Sequence, residues 1–405
     1  MENRNWREGK SSELIDLISG FAFKSANFLS ENRENTLPII KIKNVANGDV
    51  NLNDVVYHEY NDKLSNYVIE KGDVLIAMTG NHIHAQTQIV GDVSLCKLDD
   101  PVLLNQRVGK FVAKNDADLK FAYYLFKDEE TRFNLANKAS GSANQANVSK
   151  TDILDLDILI PPLPEQKAIA SVLSSLDDKI DLLHQQNQTL EALAETLFRQ
   201  WFIEEAKEDW PIYKFKDIVK HVKPGTNFQP KRVNNGIPFL NVKNLNNGFI
   251  DLQNNTFITQ EEYERVHKNW KPEVGDLLIS RIGTLGLVAT ILEGDLPIAV
   301  HYNMINLKPK LIGTEFLYFF LKSNHFQEEY FSRARQSVQE YLAIEDVEEI
   351  AVKLPLEFES FTIKEQQFIE FYNKIKNNFI QIQTLTKLRD TLLPKLMSGE
   401  VRVKM

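Results

Sequence analysis

Residues 173–201 read LSSLDDKIDLLHQQNQTLEALAETLFRQW. In this stretch Leu173, Leu176, Ile180, Leu183, Asn187, Leu190, Ala194, Leu197 and Trp201 fall at alternating three- and four-residue steps. That spacing gives a helix one narrow apolar seam for another helix. The partner is in the same chain. Displaced by 195 residues, Phe368, Phe371, Ile375, Asn378, Ile382, Leu385, Arg389, Leu392 and Leu396 form a second seam in the same frame. Asn187 and Asn378 either fix the register of the pair or face water or a third chain; the spacing leaves both open.

The repeat extends beyond the helices. Pro38 to Leu52 matches Pro238 to Leu252, including Lys43-Asn44 on Lys243-Asn244 and Asn47-Gly48 on Asn247-Gly248. Gly72-Asp73 matches Gly275-Asp276, Gly80 matches Gly283, Tyr123 and Lys127 match Tyr318 and Lys322, and Trp6 matches Trp210. Alternating apolar residues around Asn-Gly predict a hairpin in each copy. Leu119 to Phe126 predicts a helix, and Pro161-Pro-Leu-Pro164 ends the first globular stretch before Glu165-Gln166 opens the long one. The expected organisation is a globular unit at 1–160, a helix at 161–207, a second globular unit at 208–354, and a second helix with a tail at 355–405. A period near 200 excludes a solenoid. The expected fold is α+β: two mixed domains with pseudo-two-fold symmetry, joined by two long helices in an antiparallel coiled coil. Twenty-nine residues of helix span roughly 43 Å, enough to hold two readers about one DNA turn apart.

Composition sets outer bounds. Hydrophobic content of 43% and charge of 25% are those of a soluble globular protein, and 405 residues are too many for one ordinary core. No run approaches a membrane span and the N-terminal stretch lacks a signal-peptide core, so a cytoplasmic location is expected. The lone Cys96 excludes an internal disulfide and reads as a small core residue. A net charge of −9 argues against nucleic acid only until it is mapped. Residues 161–210 hold 4 basic and 10 acidic residues, whereas 211–354 hold 17 of each. The acid thus sits on the first helix and its exit, where a solvated face accounts for it.

No enzyme motif is present: no Gly-x-Gly-x-x-Gly after a strand, no phosphate loop, no Gly-x-Ser-x-Gly elbow and no His-Glu-x-x-His pair. His82 and His84 have no third ligand nearby, so no metal site is expected. Binding chemistry is better represented. Five windows are rich in amide, hydroxyl or basic groups and nearly devoid of acid: 79–90, 131–151, 214–232, 281–290 and 330–339. Arg, Lys, Asn and Gln match the hydrogen-bonding edges of bases, and carboxylates repel phosphate. These windows recur at corresponding places in the two copies with different residues, as expected of one scaffold reading two sequences.

Taken together, the chain resembles the specificity subunits of Type I restriction-modification enzymes. The resemblance rests on Pro161-Pro-Leu-Pro-Glu-Gln-Lys167, on Glu191-Ala-Leu-Ala-Glu-Thr-Leu-Phe-Arg-Gln-Trp-Phe202, on Gly72-Asp-Val-Leu-Ile and Gly275-Asp-Leu-Leu-Ile, and on Leu392-Leu-Pro-Lys-Leu-Met-Ser-Gly-Glu-Val-Arg-Val403. The order domain, helix, domain, helix is its specific part. It implies a non-catalytic subunit whose two target-recognition domains each read half of a split double-stranded DNA site, with the helices as spacer. Two methyltransferase subunits using S-adenosylmethionine would dock to methylate adenine. Two motor-nuclease subunits using ATP and Mg would add restriction. No cofactor would be bound by this chain. The outer helix faces would take the methyltransferase. On this reading Lys43, Asn44, His82, His84, Gln86, Gln106, Arg107, Ser142 and Gln145 contact the first half-site. Lys243, Asn244, Arg281, Thr284, Tyr302, Asn303, Gln336, Ser337 and Gln339 contact the second. The competing classes are a stand-alone DNA-binding regulator of a split site and a repeat scaffold that binds proteins. The first binds DNA without directing methylation; the second shows no salt-dependent DNA affinity.

Overall fold

A computed structural model of the chain describes every residue except 1–5, 46–47, 82–89, 115, 143–144, 254, 336–339, 357–358 and 405. Two compact units emerge: residues 1–180 with 384–405, and residues 181–383. The divisions fall inside the two long helices, so each unit holds one mixed α/β body together with a segment of both.

In the first unit, strands Ile15–Ser19, Val108–Ala113, Val74–Ala77 and Val93–Leu95 form an antiparallel sheet in that order. The strand Val74-Leu-Ile-Ala77 is buried along its whole length, which explains why it reads as a continuous apolar run instead of alternating. A second sheet orders Val56–Glu59, Thr36–Ile40, Val102–Leu104 and Val68–Ile69, with Ile39 opposite Leu103 in its one parallel pairing. The second unit repeats this plan. Val219–Pro224, Met304–Pro309, Leu277–Ser280 and Val288–Thr290 take the same order, and Ile237–Leu240 pairs in parallel with Ala299–Val300. Duplication is therefore preserved in strand order and pairing sense.

The Gly-Asp dipeptides serve this scaffold. Gly72 and Gly275 adopt left-handed φ of 94° and 88°, which only glycine accepts cheaply. The following carboxylate closes the turn: Asp73 accepts from the Glu70 amide at 2.9 Å and Asp276 from the Glu273 amide at 3.1 Å. Each also binds the neighbouring strand, through Lys110 Nζ at 3.2 Å or Asn306 Nδ2 at 2.8 Å.

The expected hairpin is shorter than its pattern suggests. In the second unit Leu245–Asn246 pairs with Gly248–Ile250 across Asn247 and Gly248, both with positive φ. Ile237–Leu240 does not enter that hairpin; it pairs with Thr256–Ile258, and a short 3-10 turn, Val242–Asn244, stands between. Leu119–Lys127 is helical as expected. Asp118 caps its start, and Asp128 ends it while capping a second helix, Glu129–Asn137.

The first long helix runs from Leu163 to Phe198, where the Pro162 carbonyl accepts from the Glu165 and Gln166 amides, and continues as a π-helical turn over Arg199–Glu204. The second runs from Glu359 to Met397 with Pro394 inside its last turn. Leu173, Ile180, Leu183, Phe368, Phe371, Ile375 and Ile382 are buried, and Leu176, Leu190, Leu197, Leu385 and Leu392 half-buried. The segments run antiparallel within each unit. In the second, Trp201 meets Phe368 edge-on and Asn187 Oδ1 accepts from Asn378 Nδ2 at 2.8 Å. Asn378 is fully buried, so of the two readings left open for these asparagines, mutual pairing holds.

Not all the acid of the first helix is a solvated face, as composition suggested. In the first unit Asp177 accepts from Tyr124 Oη at 2.7 Å and Arg389 Nη1 at 2.7 Å, with Lys127 Nζ at 3.8 Å. Burial opposes its ionisation, but Lys127 and Arg389 outweigh it and hold the carboxyl below its ordinary range. Glu165, almost inaccessible, accepts from Trp6 Nε1 at 2.9 Å and pairs with Arg402. In the second unit Glu191 binds Tyr318 Oη at 2.8 Å and Lys322. These carboxylates pin each body and the C-terminal tail to the helices.

Candidate nucleic-acid interface

In the second unit the end of strand Leu277–Ser280 is locked to two loops. The Arg281 amide donates to the Asn303 carbonyl at 2.9 Å, and the Leu342 amide donates to the Arg281 carbonyl at 3.0 Å. Gly225 permits the next approach: a Cβ there would lie 2.2 Å from the His301 carbonyl oxygen. The Tyr302 amide then reaches the Thr226 carbonyl at 2.9 Å. Three separate stretches of sequence, with Lys243, Asn246, Thr284, His301, Tyr302 and Asn303 among their residues, line one open groove of about 560 Å³ beside these ties. Among the described residues its lining contains no carboxylate.

The groove combines amides, hydroxyls, a lysine and an exposed aromatic ring, the inventory that reads base edges and the phosphates beside them. Asn303 Oδ1 and Arg281 Nε are buried without a hydrogen-bond partner among the described residues. The His301 and Tyr302 ring centroids lie 4.4 Å apart, with the rings tilted by 47°. Burial, with Arg232 nearby, pushes the His301 pKa down and keeps its ring neutral. Arg232, over the Phe239 ring at 5.9 Å, belongs to this neighbourhood; it is one of the basic residues of the 214–232 window but not one of the expected contacts.

The first unit builds the same framework from other residues. The Met78 amide donates to the Arg107 carbonyl at 3.0 Å, Gln106 N to Phe21 O at 2.9 Å, and Val148 N to Met78 O at 3.0 Å. Gly20 sits where a Cβ would fall 2.1 Å from the Asn105 carbonyl oxygen. Gln106 and Arg107 are exposed. Arg107 Nη1 donates to Asn147 Oδ1 at 3.2 Å, and Thr79 Oγ1 donates to the same oxygen at 2.7 Å. Strand Gln145–Asn147 lies between Thr79–Gly80 and Ser140–Ser142, with Gln145 opposite Ser142. Gln145 is exposed, and Lys43 lies 3.4 Å from Asp54. Thr79 and Asn147, absent from the expected contacts, are the residues that orient Arg107. Phe21, 38% exposed and edge-on to Phe23 and Tyr67, adds an aromatic projection beside Gln106 that no spacing signalled.

Two expected contacts are corrected. Asn44 and Asn244 are buried, their Oδ1 accepting from the Lys41 and Asn241 amides and their Nδ2 donating to the Asn53 and Asp251 carbonyls. They hold the 3-10 turns that present Lys43 and Lys243, with both ends of each side chain bonded within the fold. His82, His84, Gln86, Gln336, Ser337 and Gln339 lie outside the described residues, as does the side chain of Ser142. The windows nearly free of acid in sequence are not so in space. Lys214 and Lys216 pair with Glu349, whose carboxyl they hold at about 2. Arg335 pairs with Asp346, Arg333 with Glu329, Arg132 with Asp92 and Lys138 with Asp155. Among the described residues no group of three or more His, Cys, Asp or Glu could hold a metal ion.

A family model described as the Type I restriction modification DNA specificity domain matches residues 3–192 and 207–389, once on each copy of the repeat. The Type I restriction enzyme MjaIX specificity subunit of Methanocaldococcus jannaschii is 24% identical over 431 residues, covering 98% of this chain and 97% of its own. The EcoBI specificity subunit of Escherichia coli is 24% identical over 435 residues, covering 98% of this chain and 86% of its own. Among solved structures, the Type I restriction-modification system S subunit from M. genitalium superposes with a TM-score of 0.60 at 20% identity, covering 100% of this chain and 98% of that one. That likeness extends over the whole fold.

Proposed function

The chain belongs to the Type I restriction modification DNA specificity family, and from that premise we propose that it reads a two-part double-stranded DNA site, one half with each unit. Membership assigns it the specificity role and not catalysis. The observation that carries the proposal is the duplicated framework. Glycine-permitted backbone ties hold corresponding loops in both units, yet they present Gln106 and Arg107 in one and Tyr302 and Asn303 in the other. A conserved frame with divergent tips is what reading two different sequences requires.

In this reading the long helices are the covalent spacer, and their outward faces take two methyltransferase subunits that use S-adenosylmethionine on adenine. Leu182 and Leu193, each over 40% exposed and eleven residues apart, share one such face. Motor-nuclease subunits would bring ATP and Mg. Among the described residues no helix is long and apolar enough to cross a membrane, in keeping with a cytoplasmic complex on DNA.

Mapping methylated adenines in cells with and without the chain tests the proposal. Methylation at a split motif should vanish without it. Arg107→Ala should relax one half of the motif, and Tyr302→Ala with Asn303→Ala only the other. Methylation unchanged on deletion of the chain, or both variants altering the same half, would overturn it.

A further inference from the structure

Arg107 is held unlike Arg132, Arg333 and Arg335, whose charge is taken up by Asp92, Glu329 and Asp346. It is exposed and pairs with no carboxylate among the described residues. Only its Nη1 is tied, donating to Asn147 Oδ1 at 3.2 Å and to Thr79 Oγ1 at 3.4 Å. The acceptors are themselves oriented. Thr79 Oγ1 donates to Asn147 Oδ1 at 2.7 Å, and Asn147 Nδ2 donates to the Gln145 carbonyl at 3.4 Å, so the amide turns its oxygen to the guanidinium. Two neutral acceptors thus fix the guanidinium plane. They leave its charge, and the parallel N–H groups of Nε and Nη2, for an acceptor outside the chain.

The second unit keeps the backbone of this cluster and replaces its side chains as a set. Thr79 pairs with Asn147 as Ile282 pairs with Tyr341, and the Met78 amide meets the Arg107 carbonyl as the Arg281 amide meets that of Asn303. Ile282, Tyr341 and Asn303 therefore stand where Thr79, Asn147 and Arg107 stand in the first unit. The three positions are distant in sequence and meet only through strand pairing. A cluster needed by the shared framework would persist with that framework; this one changes together while the backbone ties stay, which marks it as chemistry particular to the first unit.

We propose that the first half-site contains a guanine read by Arg107, whose Nε and Nη2 donate to the guanine N7 and O6, with Thr79 and Asn147 as positioning residues. Guanine sets two acceptors side by side in the major groove, which an arginine fork matches, whereas adenine sets an amino donor beside its N7. A backbone phosphate accepts from many directions and carries no sequence, so a fork locked in one plane suits the planar base edge. The inference rests on the proposed function and adds the base that one residue selects. The second unit, without the cluster, makes no such contact at its corresponding base pair.

Methylation-site sequencing with the wild-type chain and with Arg107→Ala locates the base pair. The half relaxed in the variant should hold one G·C pair that becomes degenerate while its other positions stay fixed. Competition binding by the full chain with its host's methyltransferase subunits then compares duplexes carrying guanine, a deazaguanine with N7 replaced by CH, or inosine at that position. The deazaguanine should weaken wild-type binding about five-fold or more, inosine, which keeps N7 and O6, should not, and Arg107→Ala should bind all three alike. Asn147→Ala and Thr79→Val should each bring the guanine-to-deazaguanine ratio toward one with the second half of the motif unaltered, and Thr79→Ser should restore most of it. A merely structural loss would weaken every duplex equally and leave that ratio intact. A relaxed half without a degenerate G·C pair, equal affinity for the deazaguanine, or uniform weakening by Arg107→Ala, as a phosphate contact gives, would overturn this inference and leave the proposed function standing. Methylation unaltered by removing the chain would overturn both.

Discussion

Replacing Asp177 by Ala tests how the first body is fixed to its helices. Its carboxylate accepts from Tyr124 and Arg389 and faces Lys127, so truncation leaves two cations and a hydroxyl facing one another. Removing one partner of a buried ion pair costs about 3–5 kcal/mol. Here Asp177, Arg389 and Lys127 side chains remain 14%, 17% and 24% exposed. Water can therefore relieve part of the cost, leaving about 2–3 kcal/mol. Amide hydrogen exchange reads this locally: protection in 119–127 and 384–397 should fall roughly 30- to 150-fold, while the second unit is unchanged. Asp177→Asn, keeping one acceptor, should lose less. The pH dependence has a fixed sign. Because the folded carboxyl lies below its ordinary 3.8, the stabilisation is complete above that value and fades as pH falls through the folded one. The gap between wild type and Asp177→Ala should thus be constant near neutrality and close only in acid. A loss under about 0.5 kcal/mol, or one spread equally over both units, would refute the reasoning.

Three further outcomes are expected. His267, whose pKa burial pushes down to about 4, offers Nε2 to the Val300 amide and lies 3.1 Å through Nδ1 from the Trp270 carbonyl. Its contribution is complete above its ordinary 6.5 and is lost as pH falls to about 4, so acid titration should show about 3 kcal/mol less stability in the second unit, flattened in His267→Gln. Gly225→Ala would drive a Cβ into the His301 carbonyl and should abolish reading at one half of the motif, whereas Gly283→Ala, with nothing within 4 Å of its Cβ, should cost only the strain of its φ of 82° and be milder; motif sequencing distinguishes them. Asn187→Leu with Asn378→Leu removes a buried amide pair, one oxygen of which has no partner, and should raise stability of the second unit to urea by about 1–2 kcal/mol.

The helices and the repeat were legible because seam spacing and an offset near 200 residues survive without knowledge of contacts. Gly72 and Gly275 were legible for a related reason: a positive φ leaves a residue-type signature. Less visible was the division of labour within a motif. Lys43-Asn44 and Lys243-Asn244 repeat as pairs, yet each lysine lines or faces solvent while each asparagine is spent on its own turn, a difference set by burial alone. Charge was hidden for a related cause: Glu349 lies 133 residues beyond Lys216, and Asp346, although 11 residues from Arg335, falls outside the acid-poor window. Thr79 and Asn147 gained their place beside Arg107 only through strand pairing across 68 residues.

The two long helices carry a mark at corresponding points: the first widens into a π coil from Arg199, while the second stays α-helical to Met397 with Pro394 in its last turn. The two copies thus end their long helices by unlike means, a widened coil in one and a missing N–H in the other. Idealising either helix would then leave its heptads intact and mis-aim whatever the following segment must meet.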